Sequence, residues 1–225
     1  MGGLDWDAFS LSLQLAAWTC VLLLPLATPI ARWLAWHRFR LRGFVEGLIA
    51  LPLVLPPTVL GYYLLVAFSA DSPLGGAYAS LFGQTLAFSF EGLLLASVIF
   101  NLPFAVQPLQ RAFEAIPRNV REAAWCSGLS TTQTFRRIEL PLAWPGAVTA
   151  LALTFAHTLG EFGVVLMVGG NIPGETQVVS IAIYDHVEGL EYAHAHWLSG
   201  GLLLMSFLML MAVYAFNRRF RAVQS

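Results

Sequence analysis

Charge is scarce in this sequence, and lysine is absent altogether. Of the 225 residues, 11% are charged and 57% are hydrophobic, and the mean hydropathy is +0.68. Soluble domains carry about 25% charged residues, so the composition excludes an ordinary soluble protein and predicts an integral membrane protein. The length accommodates about five or six spanning helices with short loops and leaves no room for a soluble catalytic domain. The net charge of −1 gives no indication of nucleic-acid binding.

Cysteine is nearly absent as well. Cys20 lies in the first apolar segment and Cys126 in a polar segment, so a disulfide between them is not expected. Neither has a cysteine or histidine neighbour at ligand spacing. The N-terminus also lacks a basic region, and no small-residue cleavage site follows the first apolar run. This run therefore predicts a retained helix and not a cleaved signal peptide.

Five apolar segments are long enough to cross a bilayer. Between the last two of them, segment 176–192 is amphipathic and too short to span, so it predicts a short helix lying on, or dipping into, the outer leaflet. No internal repeat or linker interrupts the chain, and we expect one all-α transmembrane domain over residues 1–225. The five segments cover about residues 9–34, 44–68, 88–110, 145–168 and 197–216.

The arginines fall into three groups separated by arginine-free segments. Because short loops rich in arginine remain in the cytoplasm, five spans with the N-terminus outside and the C-terminus inside place all three groups at the cytoplasmic face. A sixth span would move the last group to the outer face, which the same rule disfavours. The groups are Arg32, Arg38, Arg40 and Arg42; Arg111, Arg118, Arg121, Arg136 and Arg137; and Arg218, Arg219 and Arg221.

The polar segment between the third and fourth spans, residues 118–141, has the capping signals of a helical hairpin. Asn119 and Ser130 can each begin a helix, since each has a glutamate or glutamine three residues later at the reciprocal capping position. Gly128 suits the left-handed residue that ends the first helix, and Pro141 is expected to end the second because proline has no amide donor. A charged hairpin of this kind predicts docking onto another cytoplasmic protein. The plain alternative is an ordinary loop of a membrane protein.

The spacing within this hairpin resembles the EAA loop of the membrane subunits of ABC importers. In that family the loop is a coupling helix that enters a cleft on the ATPase subunit. The resemblance implies a type I importer permease fold, with ATP and Mg bound by the partner ATPase and no cofactor bound by the permease chain itself. The matching residues are Glu122, Ala123, Ala124, Gly128, Ile138, Leu140 and Pro141.

The second apolar segment contains several prolines at membrane depth. Pro56 and Pro57 remove backbone donors inside the bilayer, and Thr58 follows them directly. Broken backbone at this depth is tolerated where it faces other protein or a water-filled cavity. These three residues are therefore candidates for the lining of a passage. A proline-kinked packing helix is the alternative.

The fourth segment contains one acid, Glu161, among apolar residues. Ionisable groups in a membrane are costly and usually face the bundle interior or water. His157 precedes it by four residues, so the two share a helix face and can pair. With Gly160 and Phe162 they are candidates for a pathway or gate, and a structural His–Glu pair is the alternative. A fixed carboxylate would repel an anionic substrate, which favours a gate or helix-anchoring role for Glu161.

Two further patterns in the segment 169–197 are rejected. Residues 169–176 nearly match a phosphate-binding loop, but Glu175 stands where lysine is required and no strand precedes the loop. We therefore expect no nucleotide site in this chain, so any ATP-driven step needs a partner. The other pattern is a group of histidines and acids without a closed ligand spacing, for which no metal site is expected. It comprises His186, His194 and His196 with Asp185 and Glu188.

Two membrane segments indicate which members of the ABC importers the chain resembles. Leu51–Leu65 and Leu159–Asp185 are similar to the molybdate permeases of ABC importers, with sulfate and tungstate permeases as close relatives. The family implies import of molybdate by alternating access through a homodimer, driven by a cytoplasmic ATPase dimer and supplied by a periplasmic or surface-tethered oxyanion-binding protein. It further implies a bacterial or archaeal cytoplasmic membrane, with Thr58 and Glu161 facing the passage near its gate.

Two other classes of function remain open on the residues alone. A proton-coupled secondary carrier would use Glu161 as a relay, although such carriers often show paired halves and none is visible here. A membrane-embedded enzyme would use His157 and Glu161, but no nucleophile or metal set accompanies them. Dependence of transport on an ATPase partner separates the importer from both.

Overall fold

The computed structural model describes residues 6–224, without the side chains of 214 and 216–224. Over this range every regular element is a helix, and a π-helical turn (Phe135–Glu139) joins α8 directly to α9. The α-helices are α1 (Trp6–Trp36), α2 (Arg42–Val54), α3 (Pro57–Phe68), α4 (Pro73–Phe82), α5 (Phe90–Phe100), α6 (Leu102–Glu114), α7 (Arg118–Cys126), α8 (Thr131–Thr134), α9 (Leu140–Gly160), α10 (Gly163–Gly169), α11 (Val179–Glu188) and α12 (Tyr192–Gln224).

Three helical stretches in the described range are long and apolar enough to cross a membrane. They are α1, the continuous stretch Thr131–Gly160, and Tyr192–Val213 of α12. Two bent helix pairs also qualify when each is counted as one span: α2 with α3, bent by 108°, and α5 with α6, bent by 40°. The five predicted spans correspond to these stretches and pairs. The last predicted arginine group, 218–221, has its side chains outside the described part of the chain.

The second predicted span is broken more sharply than the sequence indicates. Residues 44–68 do not form one kinked helix, because the backbone is extended at Leu55 (ψ 137°) and at Pro56 (ψ 135°) before α3 begins. Each of these residues precedes a proline, whose ring disfavours the helical conformation of the residue before it. Pro57 then suits the first position of α3, where an amide donor is not needed.

The fourth predicted span, 145–168, has different limits and an interruption. Its helix begins at Thr131 and runs to Gly160, and the backbone then leaves helical geometry before α10 continues from Gly163. The third span likewise extends beyond its predicted end, since α6 reaches Glu114. The predicted short helix within 176–192 is confirmed as α11.

The central packing joins α1, α6 and α9 through small side chains. Ala27 and Ala31 of α1, Ala105 of α6, and Ala143 and Ala150 of α9 are all completely buried. Small residues let helix backbones approach closely, and the resulting van der Waals packing contributes to helix association in lipid. This packing fixes α9, and therefore the hairpin before it, against α1.

A contrasting surface lies along α12. Its large apolar side chains are mostly exposed, as expected of a helix that faces lipid or another chain and not the interior of the molecule. They include Leu203, Leu204, Phe207 and Leu208.

Candidate functional site

The predicted hairpin forms, and its central turn has the expected geometry. Gly128 has φ +82°, and its amide donates to the Trp125 carbonyl at 2.9 Å. Nothing lies within 4 Å of a Cβ built at this glycine, so the backbone conformation alone requires it. The predicted capping box at the start of α8 is also confirmed, since Ser130 Oγ accepts from the Gln133 amide and the Ser130 amide donates to Gln133 Oε1 at 2.9 Å.

Two other predictions about the hairpin are wrong. Asn119 does not cap α7, because the helix begins at Arg118 with Pro117 as its N-cap residue and without a side-chain cap. Pro141 does not end the second helix, because the π-helical turn before it leaves the chain helical and puts the proline in the first turn of α9. The Leu140 amide donates to the Phe135 carbonyl five residues back, so the missing amide of Pro141 falls where the hydrogen-bond pattern changes from π-helical to α-helical. The second arm of the hairpin is therefore the cytoplasmic beginning of the fourth span.

A buried carboxylate, Glu139, anchors the hairpin to α1. Its side chain is fully buried and accepts from Arg32 Nε at 2.5 Å and from Arg121 Nε at 2.7 Å. Arg32 lies near the C-terminal end of α1 and Arg121 lies on α7. One carboxylate thus joins α1, α7 and the π-helical turn. We call Arg32, Arg121 and Glu139 the clamp.

Aromatic rings cover both guanidinium groups of the clamp. The Arg121 guanidinium lies 4.0 Å from the centroid of Trp36 and 4.9 Å from that of Trp125, and the Arg32 guanidinium lies 5.3 Å from that of Phe135. Such cation–π contacts stabilise a partly desolvated arginine by about 0.5–2 kcal/mol each. The clamp is therefore a rigid joint at the base of the hairpin.

The residues that match the EAA loop differ in their exposure. Glu122, Ala123 and Gly128 are exposed, whereas Ala124 is buried. In the second arm Ile138 and Leu140 are half-buried and Pro141 is exposed. The outer face of α7 is therefore available to another protein. Sequence reasoning missed Glu139, which stands between two motif positions and is the only acid of the second arm.

The two backbone breaks in the membrane meet each other. A Cβ built at Gly163, at the start of α10, would lie 2.7 Å from the Cβ of Pro57, at the start of α3. A Cβ at Gly61 would lie 2.7 Å from the Cβ of Met167. The glycines therefore allow α3 and α10 to pack in close contact. Pro56, Pro57 and Thr58 are themselves exposed.

Glu161 lies buried at this junction and is held by hydrogen bonds. Its Oε1 accepts from the Val164 amide at 2.9 Å, so the carboxylate caps the N-terminal end of α10, where negative charge is favoured. Its main-chain carbonyl accepts from Ser180 Oγ at 2.6 Å. The predicted pairing with His157 is loose, with 3.9 Å between His157 Nε2 and Glu161 Oε2. Of the neighbouring candidates, Gly160 is exposed with nothing within 4 Å of a built Cβ, and Phe162 lies against Tyr184.

His157 has a closer partner that the sequence did not indicate. Its Nδ1 lies 3.2 Å from Asn101 Oδ1, and its ring stacks on Phe104 at 4.0 Å between centroids. Asn101 Nδ2 donates in turn to Thr158 Oγ1 at 3.0 Å. The asparagine is completely buried, so it fixes the orientation of the histidine between α5, α6 and α9. A buried asparagine in an apolar span was the available signal.

The start of α2 and the end of α6 line an open pocket of about 460 Å³ with both apolar and charged side chains. Arg42 binds Glu46 at 2.9 Å and Glu114 at 2.7 Å, and Gln110 donates to both carboxylates. Arg111 also lines the pocket, so the structure brings members of the first two predicted arginine groups together.

The outer loop after α10 has no free hydroxyl for a phosphate. Thr176 is fully buried, its Oγ1 donates to the Gly169 carbonyl at 2.7 Å, and it accepts from the Ile172 amide at 3.1 Å. The Thr176 hydroxyl therefore closes the turn.

On α11 the Tyr184 hydroxyl donates to Glu188 at 2.5 Å, and this hydrogen bond raises the pKa of Tyr184.

Comparison with known sequences places the chain among transport proteins. The profile of the family "Binding-protein-dependent transport system inner membrane component" matches residues 27–222. The chain is 55% identical to the molybdenum transport system permease protein ModB of Azotobacter vinelandii, over 97% of this chain and 96% of that one. It is 31% identical to a probable sulfate transport system permease protein of Chlorella vulgaris, over 94% of this chain and 79% of that one.

Comparison with solved structures agrees on the fold. The crystal structure of a bacterial ABC transporter involved in the import of the acidic polysaccharide alginate matches with a TM-score of 0.79, over 97% of this chain and 80% of that one, at 17% identity. The predicted ABC-importer permease fold is thereby confirmed. On its sequence profile and its relatives, the chain belongs to the family of binding-protein-dependent transport system inner membrane components.

Proposed function

We propose that this chain is the permease subunit of an ATP-driven importer that carries molybdate across the cytoplasmic membrane. The assignment of molybdate as the substrate rests on the high identity, over nearly the whole chain, to a permease named for molybdenum transport. The lower identity to a sulfate permease gives the sulfate alternative less support. Tungstate, an oxyanion of the same charge, is the other alternative.

We infer a full assembly of two copies of this chain, a cytoplasmic ATPase dimer and an oxyanion-binding protein outside a bacterial or archaeal cell. The chain is a multi-pass inner-membrane subunit, and ATP hydrolysis belongs to the separate ATPase. The arginine distribution supports an N-terminus outside and a C-terminus in the cytoplasm. That orientation presents the exposed face of α7 to the ATPase.

The coupling step is proposed to run through the hairpin and its clamp. Closure of the ATPase dimer on ATP would move α7, and Glu139 would pass the displacement to α1 through Arg32. Since α8, the π-helical turn and α9 are continuous, the same motion would reach the break at Glu161. Support for a pathway there comes from the contact between the two broken spans, Gly163 on Pro57.

A proton-coupled carrier is a weaker candidate, because Glu161 already caps α10. The importer is tested by uptake into vesicles that contain the purified chain, its ATPase and its binding protein, with molybdate, tungstate and sulfate in competition. We expect ATP-dependent molybdate uptake that excess sulfate does not suppress. Uptake on a proton gradient without the ATPase would overturn the importer, and preferential uptake of sulfate would overturn the substrate.

Substitution of Gly128 by valine is expected to uncouple ATP hydrolysis from transport. A β-branched residue at φ +82° costs about 1–2 kcal/mol, and the turn relieves this strain by changing the angle between α7 and α8. We expect normal membrane insertion, persistent ATP hydrolysis and strongly reduced uptake. Gly83→Val is the matched control, because Gly83 has φ +72°, open surroundings and no place in the hairpin. Normal uptake by Gly128→Val would contradict the docking role.

Substitution of Glu161 by glutamine is expected to change basal ATP hydrolysis more than substrate preference. Glutamine keeps an oxygen acceptor for the Val164 amide but removes the charge from the end of α10, which is worth about 1 kcal/mol, or roughly fivefold in an equilibrium between two states. The hydrolysis rate without substrate and the molybdate-to-sulfate uptake ratio measure the two effects. A change of preference at constant basal rate would instead assign Glu161 to substrate binding.

A further inference from the structure

The turn between α11 and α12 directs two histidines and a glutamate at one point. His186 Nδ1 lies 2.8 Å from Glu191 Oε2, and His194 Nδ1 lies 3.6 Å from the same oxygen. One ligand atom from each of the three residues lies within 4.8 Å of the others. The two imidazole rings stack with 5.2 Å between their centroids. The spacing rejected from the sequence therefore forms a compact group once the turn is folded, with Glu191 as the member that was missed.

Local backbone geometry explains this convergence. At the end of α11 the Glu191 amide donates to the His186 carbonyl at 2.8 Å, and the Leu190 amide donates to the Val187 carbonyl at 3.1 Å. These two bonds, with Leu190 at φ +59°, make a Schellman motif that brings His186 and Glu191 together. His194 follows Glu191 by three residues in the first turn of α12, so it lies on the same face.

We propose that His186, Glu191 and His194 bind a divalent transition-metal ion of the zinc class at the outer end of the molecule. Imidazole nitrogen and carboxylate oxygen are ligands that zinc takes at about 2.0–2.2 Å, which puts neighbouring ligands of a tetrahedral ion about 3.4 Å apart. The separations of 2.8 and 3.6 Å lie on either side of this value, so small side-chain shifts admit the ion. Water completes the coordination, because the carboxylate side chain is 56% exposed.

A bound ion would add a cross-link at the turn between two helices that also pack through the apolar side chains of Val179, Ala182 and Leu198. His186 belongs to α11, whereas His194 belongs to α12. On α11, Ser180 Oγ also donates to the carbonyl of Glu161 at 2.6 Å. The ion would therefore fix one end of the helix that holds the break after α9. Calcium and magnesium are disfavoured because they require mostly oxygen ligands.

The test is metal binding to the purified full-length chain carrying a purification tag without histidine. Zn²⁺ is titrated in competition with a chromophoric chelator, and Co²⁺ is added separately to observe the visible absorption of a tetrahedral site. We expect one ion per chain in the wild type. His194→Ala and Glu191→Gln are each expected to weaken binding by at least the roughly tenfold to 100-fold that loss of a supporting residue costs at metal sites.

His196→Ala is the matched control, because His196 is an exposed histidine two residues from His194 and outside the group. It should bind Zn²⁺ as the wild type does. Thermal unfolding provides the second measurement: Zn²⁺ should raise the melting temperature of the wild type and of His196→Ala but not of His194→Ala. The proposal is overturned if the wild type binds no stoichiometric Zn²⁺, or if His196→Ala and His194→Ala lose equal affinity.

Discussion

Substitution of Glu139 by alanine is expected to abolish ATP-driven uptake. The substitution leaves Arg32 and Arg121, whose side chains are only 22% and 14% exposed, without their shared carboxylate. Removal of one partner from a buried ion pair costs about 3–5 kcal/mol, and here two cations lose the same partner. We expect α7 to detach from α1, so that ATP hydrolysis continues without uptake of molybdate. The measurement is uptake and hydrolysis in the same vesicles.

A second variant separates coupling from stability. Buried ion pairs can often be replaced by apolar residues of similar volume without loss of stability. The triple substitution Arg32→Met, Arg121→Met and Glu139→Met should therefore restore the melting temperature. If the clamp transmits motion through its fixed hydrogen-bond geometry, uptake stays low in this variant. Recovery of both stability and uptake would reduce the clamp to a structural support.

The control for this experiment is the ion pair of Arg42 and Glu46. These side chains are 30% and 37% exposed and lie one helical turn apart on α2. Glu46→Ala leaves Arg42 its second carboxylate, Glu114 at 2.7 Å. Pairs open to solvent contribute about 0–1 kcal/mol, and this one is only partly buried, so Glu46→Ala should keep uptake within about fivefold of the wild type. An effect of Glu46→Ala as large as that of Glu139→Ala would show that loss of any cytoplasmic ion pair disables the chain.

Local signals in the sequence predicted the local features well. The five spans followed from hydropathy because each long apolar segment must find either lipid or protein. The turn at Gly128 followed from its residue type, since only glycine adopts a left-handed conformation without strain. The cap at Ser130 followed from the reciprocal spacing with Gln133.

The two wrong predictions about the hairpin have different physical causes, one in the packing of helices and one in the local sequence. A proline such as Pro141 usually ends a helix. Here the packing of α9 on α1 and α6 keeps the chain helical, and the π-helical turn before Pro141 accommodates the proline. Asn119 had a suitable spacing, but Pro117 already fixed the start of α7.

Contacts between distant segments could not be predicted from these local sequence signals. Arg32 and Glu139 are 107 residues apart in the chain, and no periodicity connects them. The contact of Pro57 with Gly163 likewise joins two distant segments. Only the break in the first of them was predicted from the residues, and only the family resemblance placed both segments near the gate. Which buried polar group pairs with which depends on the packing of whole helices, and a single sequence does not contain that information directly.

Substitution of Gly163 by valine is expected to stop the transport cycle at this contact. The new Cβ would lie 2.7 Å from the Cβ of Pro57 and 3.6 Å from its carbonyl carbon. Proline is rigid and cannot turn aside, so α10 and α3 must separate. Overpacking of this kind costs about 1–3 kcal/mol, which leaves the protein folded but changes the balance between its conformations. Uptake and the stimulation of hydrolysis by the binding protein should both fall.

The comparison that makes this result specific is Gly200→Val in α12. Gly200 is also a helical glycine, but nothing lies within 4 Å of its built Cβ, so the same change in helix propensity occurs without a collision. Normal uptake by Gly200→Val together with loss in Gly163→Val would assign the defect to the contact between the two breaks. Equal losses would point to glycine content in general, and normal uptake by Gly163→Val would mean that α3 and α10 are free to separate during transport. A defect specific to Gly163→Val would therefore place the alternating-access gate at the contact between α3 and α10.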